Sequence, residues 1–289
     1  MDATTRIEQA LAAALARADS TNCPPRLAAA VQYAVFPRGS RIRPRLCLAV
    51  AAACGDDNPP VSDAAAAAIE LMHCASLVHD DLPCFDDAMT RRGRPTVHRA
   101  FGEPLAVLAG DALIVLAFET LVRGAAIAPG RLGGLVATVC HAVGMPCGIV
   151  AGQAWECEPQ ADLAEYQRAK TGALFAAATV AGAAAAGAEA EPWRALGERL
   201  GEAYQVADDI RDAVADPEEV GKPVGRDAAL GRPSAVLRLG LAGATQRLER
   251  LVVGAVEAIP SCPGQADLQA LIRLEAKRLL PKSLARQAA

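Results

Sequence analysis

The sequence predicts an all-α fold built as one large helical bundle, and three observations carry that expectation. Apolar residues recur at helical spacing along nearly the whole chain. Few alternating β-branched runs compete with them. Proline and glycine clusters interrupt the pattern often enough to delimit about ten helices.

The elements follow in order. Ile7, Leu11 and Leu15 give the first helix its apolar face. Pro24-Pro25, Pro37, Pro59-Pro60 and Gly102-Glu103-Pro104 mark successive breaks. Ala64 to Val78 is apolar around most of the helix circumference, which implies burial on all sides. Leu105, Leu108, Ala112 and Leu116 set the next helix, and breaks follow at Pro129-Gly130 and Pro146. Ala173 to Ala186 again lacks a polar face, so it too reads as a central helix. Strong helix propensity favours helix over disorder in the alanine runs. Beyond breaks at Pro217 to Gly225, Leu241, Leu248, Val252 and Val256 define a late helix that ends before Pro260 to Gly264.

The 289 residues contain no linker that would divide them, so a single domain over 1–289 is expected. Hydrophobic residues make up 52% and aromatics only 3%, so small aliphatic side chains must build the core. A net charge of −4 without a basic block interleaved with aromatics argues against nucleic-acid binding. The uncharged run Thr171 to Ala188 approaches membrane-spanning length. It is mostly Ala and Gly, however, and reads as a buried helix, so no transmembrane segment is expected. Nine cysteines without Cys-x-x-Cys spacing fit reduced thiols. The first residues lack the basic-then-apolar order of an export signal. Both observations point to the cytoplasm.

Two aspartate clusters carry the chemistry: Asp80-Asp81-Leu-Pro-Cys-Phe-Asp86-Asp87 and Asp208-Asp209-Ile-Arg-Asp212. Carboxylates in such apolar surroundings need a cation to offset desolvation. Oxygen-only ligands favour a hard ion, and Mg2+ characteristically also accepts phosphate oxygens, so a diphosphate substrate is implied. Asp208 and Asp212 are four residues apart and share a helix face. Pro83 interrupts the helix in the first cluster, which would let Asp80 and Asp86 converge. Two basic, Gly/Pro-broken segments suit phosphate oxygens: Arg91-Arg92-Gly93-Arg94-Pro95 and Arg38-Gly39-Ser40-Arg41-Ile42-Arg43-Pro44. Lys222, in the loop after the second cluster, could reach a bound diphosphate.

The order of these segments, with Lys170-Thr171-Gly172 and Gln205 between them, resembles the short-chain trans-polyprenyl diphosphate synthases. The likeness is nearest to bacterial geranylgeranyl diphosphate synthases of carotenoid and bacteriochlorophyll pathways. It implies an isoprenoid synthase-type helical bundle with a central apolar cavity. It further implies that Asp80, Asp81, Asp86, Asp208, Asp209, Asp212, Lys170 and Lys222 carry the chemistry. Asp80, Asp86, Asp208 and Asp212 would hold three Mg2+ ions. Arg91, Lys170, Thr171, Gln205 and Lys222 would contact the allylic diphosphate (dimethylallyl, geranyl or farnesyl), and Arg41, His73 and Arg92 would hold isopentenyl diphosphate. Met72, Ala75 and Ser76 would set product length, small residues there favouring the C20 product over farnesyl diphosphate. A homodimer is implied as well.

Two departures from the family pattern stand out. Ser40 replaces an expected lysine, with Arg38 or Arg43 as the substitute, and Gly231-Arg232-Pro233 stands where many relatives have Gly-Lys followed by a threonine, so the role of Arg232 is left open. Other readings fit less well. A phosphohydrolase built on His79-Asp80 lacks a completing upstream histidine. A non-catalytic partner subunit would have damaged Asp motifs. A terpene cyclase needs neither the second Asp-rich motif nor a second diphosphate site.

Overall fold

The computed structural model describes residues 2–18, 22–36, 39–160, 163–214 and 234–279. Its helices are α1 (Ala3–Ala18), α2 (Pro25–Val35), α3 (Ile42–Ala53), α4 (Pro59–Asp80), α5 (Val97–Phe101), α6 (Glu103–Gly124) and α7 (Pro129–Val143). They continue as α8 (Ile149–Ala154), α9 (Leu163–Gln167), α10 (Ala173–Ala185), α11 (Arg194–Val214), α12 (Ala235–Glu257) and α13 (Gln265–Leu279). Several begin as the sequence directs: Pro25, Pro60, Pro104 and Pro129 or its neighbours occupy first-turn positions, where the missing N–H is not needed. Asp2 accepts from the amides of Thr4 and Thr5 at 2.9 and 3.1 Å and so caps α1.

Helix α4 lies at the centre. It packs along α6 and is flanked by α3 and α10, while α10 also touches α7 and α11. Every residue of α10 from Leu174 to Ala183 is buried, and so are Ala64 to Met72 in α4, as their lack of a polar face implied. Alanine at so many of these positions lets the axes approach closely and replaces aromatic bulk with tight backbone packing. Ile69, Leu71, Met72 and Leu113 are among the largest fully buried side chains. Each contributes about 1.5–3 kcal/mol relative to exposure.

Two features depart from the expected pattern. A short antiparallel hairpin, β1 (Thr90–Arg91) and β2 (Arg94–Pro95), interrupts the helices. Its turn residues Arg92 and Gly93 have φ of 54° and 77°, the left-handed pair that a two-residue hairpin turn demands. Helix α6 matches α4 in length and exceeds it in apolarity, and by length and composition alone both could cross a membrane. In α4, 78% of the apolar window is buried within the bundle, but in α6 only 44% is. Val107, Leu108, Val115 and Val122 on α6 are exposed.

Candidate active site

The C-terminal end of α4 presents the first aspartate cluster. Pro83 stops the helix, and the chain folds back: the amide of Asp86 donates to the carbonyl of Asp80 at 3.0 Å, and that of Ala88 to Asp81 at 3.2 Å. This return brings Asp80 and Asp86 together as the interrupted helix implied. Carboxylate oxygens of Asp80, Asp86 and Glu156 lie within 4.8 Å of one another. An all-oxygen set of this kind suits a hard cation such as Mg2+.

A cation of the chain itself already sits among them. Lys170 donates from Nζ to Asp80 Oδ1 at 3.0 Å and to Glu156 Oε1 at 2.5 Å. Burial works against its charged form, but Asp80, Tyr166 and Glu156 outweigh burial and raise its pKa. Lys170 and Thr171 belong to a π-helical turn, Arg168–Gly172, between α9 and α10. Such widened turns re-aim side chains and recur at functional sites. The turn faces both Asp-bearing helices: Lys170 reaches Asp80, and Thr171 Oγ1 donates to Gln205 Oε1 on α11 at 3.1 Å.

The tandem aspartates divide their work. Asp81, 2% exposed, is turned inward and takes Arg91 through Nε at 2.7 and 2.8 Å and through Nη2 at 2.6 Å. Burial raises its pKa in spite of that guanidinium. Arg91 also lies 3.8 Å from Asp80, so it borders the cluster while anchored to Asp81. On α11, Asp208 is 54% exposed with Arg211 at 3.2 Å, and Asp212 follows one turn later on the same face. Asp209 points elsewhere. It is 3% exposed, accepts from Gln205 Nε2 at 3.0 Å, and binds the amide of Ala235 at the start of α12 at 2.7 Å. Asp209, expected with the chemical residues, here joins α11 to the start of α12.

A second cluster is cationic. Arg43 Nη1 lies 3.4 Å from His73 Nε2, and its guanidinium stands 4.6 Å from the Phe175 ring centroid. Arg43 Nε is buried without a hydrogen-bond partner, and burial depresses its pKa. Arg92, at the hairpin tip, lays its guanidinium on Gly39, where a Cβ would lie 2.5 Å from Nη2. Burial and the charges of Arg43, Arg92, Arg91 and Arg41 hold the His73 imidazole well below its ordinary pKa. Among the described residues neither Arg43 nor Arg92 has an ion-pair partner. This concentration of positive charge is a receptacle for an anion.

Arg41, expected in that receptacle, is not there. It is 3% exposed and spends its guanidinium on Glu70 at 2.6 Å, Glu8 at 3.0 Å and the carbonyl of Val35 at 2.9 Å. Its left-handed backbone, φ 51°, turns the side chain inward just before α3, whereas Arg43 in the first turn of α3 faces His73. Of the two candidates for the lysine missing at Ser40, Arg43 is in place. Arg38, Lys222 and Arg232 lie outside the described residues. Glu70 was the overlooked signal: a carboxylate in an apolar helix calls for a cation as strongly as the aspartates do. Glu156 carried no comparable mark. Of the residues expected to set product length, Met72 and Ala75 are buried, and Ser76 is half-buried with its hydroxyl donating to the His73 carbonyl at 2.8 Å.

The helical bundle thus pairs a carboxylate cluster suited to a hard metal ion with a cationic cluster suited to an anion. The family described as polyprenyl synthetase matches residues 24–264, and the chain belongs to it. It is 59% identical over 280 residues to a geranylgeranyl diphosphate synthase of Cereibacter sphaeroides, covering 97% of each chain. It is 54% identical to that of Rhodobacter capsulatus, covering 95% of each. Among solved structures, a Helicobacter pylori geranyltransferase complexed with magnesium and isoprenyl diphosphate superposes with a TM-score of 0.81 at 29% identity, covering 95% of this chain and 96% of that one. A geranylgeranyl pyrophosphate synthetase of Pyrococcus horikoshii gives 0.79 at 28% identity, covering 94% and 95%.

Proposed function

We propose that the protein is a geranylgeranyl diphosphate synthase, condensing isopentenyl diphosphate with dimethylallyl, geranyl and farnesyl diphosphates and ending mainly at the C20 product. The observation that carries this reading is the pairing of two unlike anion sites around one helix. The carboxylates of Asp80 and Asp86 lie at the end of α4, and the cations Arg43 and Arg92 gather around His73 two turns earlier.

Asp80 and Asp86, with Asp208 and Asp212 on α11, would hold Mg2+. When bound, that metal neutralises diphosphate charge, so the allylic group can leave as a resonance-stabilised cation. Lys170, already charged and aimed at Asp80, adds a donor to the departing diphosphate. Arg43, His73 and Arg92 hold isopentenyl diphosphate so that its double bond faces the cation, and holding both reactants favours condensation over capture by water. The apolar walls of α4 and α10 exclude that water. The proton lost on forming the product passes to the released diphosphate. The small Ala75 and Ser76 leave room for a C20 chain.

A homodimer completes the proposal. The exposed apolar face of α6 borders a cavity of about 400 Å³ lined by Leu27, Val31, Leu108, Val115 and Leu116, which a second copy would cover. All nine cysteines are free, in keeping with a cytoplasmic protein that serves carotenoid-type isoprenoid synthesis. The test is incubation with Mg2+, radiolabelled isopentenyl diphosphate and each allylic starter, with chromatography of the dephosphorylated products. C20 alcohol is expected. A product that stops at C15 from every starter would make the protein a farnesyl diphosphate synthase, and no transfer at all would overturn the reading.

A further inference from the structure

Glu156 lies in a short turn after α8, where its side chain is 24% exposed. Its Oε1 accepts from Lys170 Nζ at 2.5 Å and from the Tyr166 hydroxyl at 2.6 Å, and its Oε2 from Gln153 Nε2 at 2.8 Å. Among the described residues, the carboxylate is thus fixed by two neutral donors and has one charged partner. The backbone is shaped to allow this contact. Gly152, one turn earlier, lies so close to the π-helical turn that a Cβ there would come within 2.5 Å of the Lys170 amide nitrogen. Lys170 meanwhile divides its ammonium between Glu156 and Asp80.

That division sets up a conflict. Lys170 bonds Asp80 through Oδ1, and a divalent ion held by the same carboxylate would compete with the ammonium for it, so loading the site would loosen that contact. A free lysine would then swing on four rotatable bonds. From this geometry, and resting on the reading of the site as a diphosphate site, we infer that Glu156 is a positioning residue for Lys170. It keeps the ammonium beside the incoming diphosphate while Asp80 exchanges its lysine for metal. Gln153 and Tyr166 hold the tether in place. Glu156 acts through Lys170 and is itself no ligand of the substrate.

The test is a double-mutant cycle read by titration calorimetry on the full-length protein, with inorganic diphosphate and Mg2+ as the probe. Glu156→Gln is expected to weaken Mg2+-diphosphate binding about tenfold, the scale of one charge-assisted hydrogen bond. The same change in a Lys170→Ala background is expected to add nothing, because the group it acts through is gone. Glu156→Asp should recover part of the loss. Binding of isopentenyl diphosphate without Mg2+ should stay unchanged in Glu156→Gln, which a general structural lesion would not allow. Equal losses in both backgrounds would make Glu156 an independent ligand and sink the inference, as would binding that is unaltered or tightened by Glu156→Gln. Absence of prenyl transfer in the wild type would instead defeat the proposed function and leave this cycle readable.

Discussion

Arg43 Nη1 lies 3.4 Å from His73 Nε2, on a guanidinium that has a buried Nε without a partner and no carboxylate beside it among the described residues. Two residues earlier, Arg41 is saturated by Glu70 and Glu8. The two arginines should therefore fail in different ways. Arg43→Ala is expected to raise the apparent KM for isopentenyl diphosphate about ten- to a hundredfold, the effect of losing one or two charge-assisted hydrogen bonds, with stability unchanged or improved. Arg41→Ala strands Glu70, whose side chain is 2% exposed, and should cost about 3–5 kcal/mol of stability. Steady-state kinetics and urea unfolding of both variants check the pair. A selective KM effect in Arg41→Ala would reverse the assignment.

Asp208 and Asp209 are neighbours in sequence, but adjacent helix positions point about 100° apart, a consequence of 3.6 residues per turn. Asp209→Ala leaves the Ala235 amide without its carboxylate and should cost about 1–3 kcal/mol of stability. Asp208→Ala removes only an exposed ion pair with Arg211, so stability should change by less than about 1 kcal/mol. Turnover, however, should fall by orders of magnitude. Unfolding midpoints compared with turnover at saturating Mg2+ check this. Normal turnover in Asp208→Ala would remove Asp208 from the metal site.

Much of this was legible in the sequence, and the misses share a cause. The bundle was readable because the 3.6-residue apolar period runs through α1 (Ile7, Leu11, Leu15) and α12 (Leu241, Leu248, Val252, Val256), while α4 and α10 are apolar on every side. The convergence of Asp80 on Asp86 was readable because Pro83 leaves the helix no way to continue. The hairpin at Thr90–Pro95 is too short for its alternation to register. Arg41 was misplaced because its partners Glu8 and Glu70 are 33 and 29 residues away, and no local pattern joins them. Glu156 escaped for the same reason: only the fold brings it to Lys170, 14 residues later.

His73 gives the protein an acid-side sensitivity. Its folded pKa is depressed below the ordinary 6.5 by burial and by the nearby arginines, chiefly Arg43 and Arg92. Below pH 6.5 the unfolded chain therefore binds a proton that the folded protein does not, and unfolding free energy falls as pH falls. Stability from this source is complete above 6.5 and is lost progressively down to the folded pKa. His73→Gln should flatten the wild-type decline between pH 6.5 and 5, measured by urea unfolding at each pH, without changing stability at pH 8. An unchanged slope would show that the imidazole titrates normally in the folded protein.

Product length should be set on the face of α4 below Asp80. Ser76 lies one turn before Asp80, on its side of the helix, half-buried and held by the His73 carbonyl at 2.8 Å. Ala75 is 2% exposed and Met72, beneath it, is 1% exposed. A phenylalanine at either 75 or 76 adds a ring in the path of the growing chain. At Ala75 the ring must also displace buried neighbours, costing about 1–3 kcal/mol from overpacking, whereas the half-buried Ser76 has space on its open side. Ser76→Phe is therefore expected to shift the main product from C20 to C15 with little loss of stability. Ala75→Phe should give the same shift with a lower unfolding midpoint. Chromatography of dephosphorylated products from farnesyl diphosphate and labelled isopentenyl diphosphate reads the outcome directly, since a shortened pocket should leave farnesyl diphosphate unextended. Undiminished C20 from both variants would place the floor of the pocket on another helix.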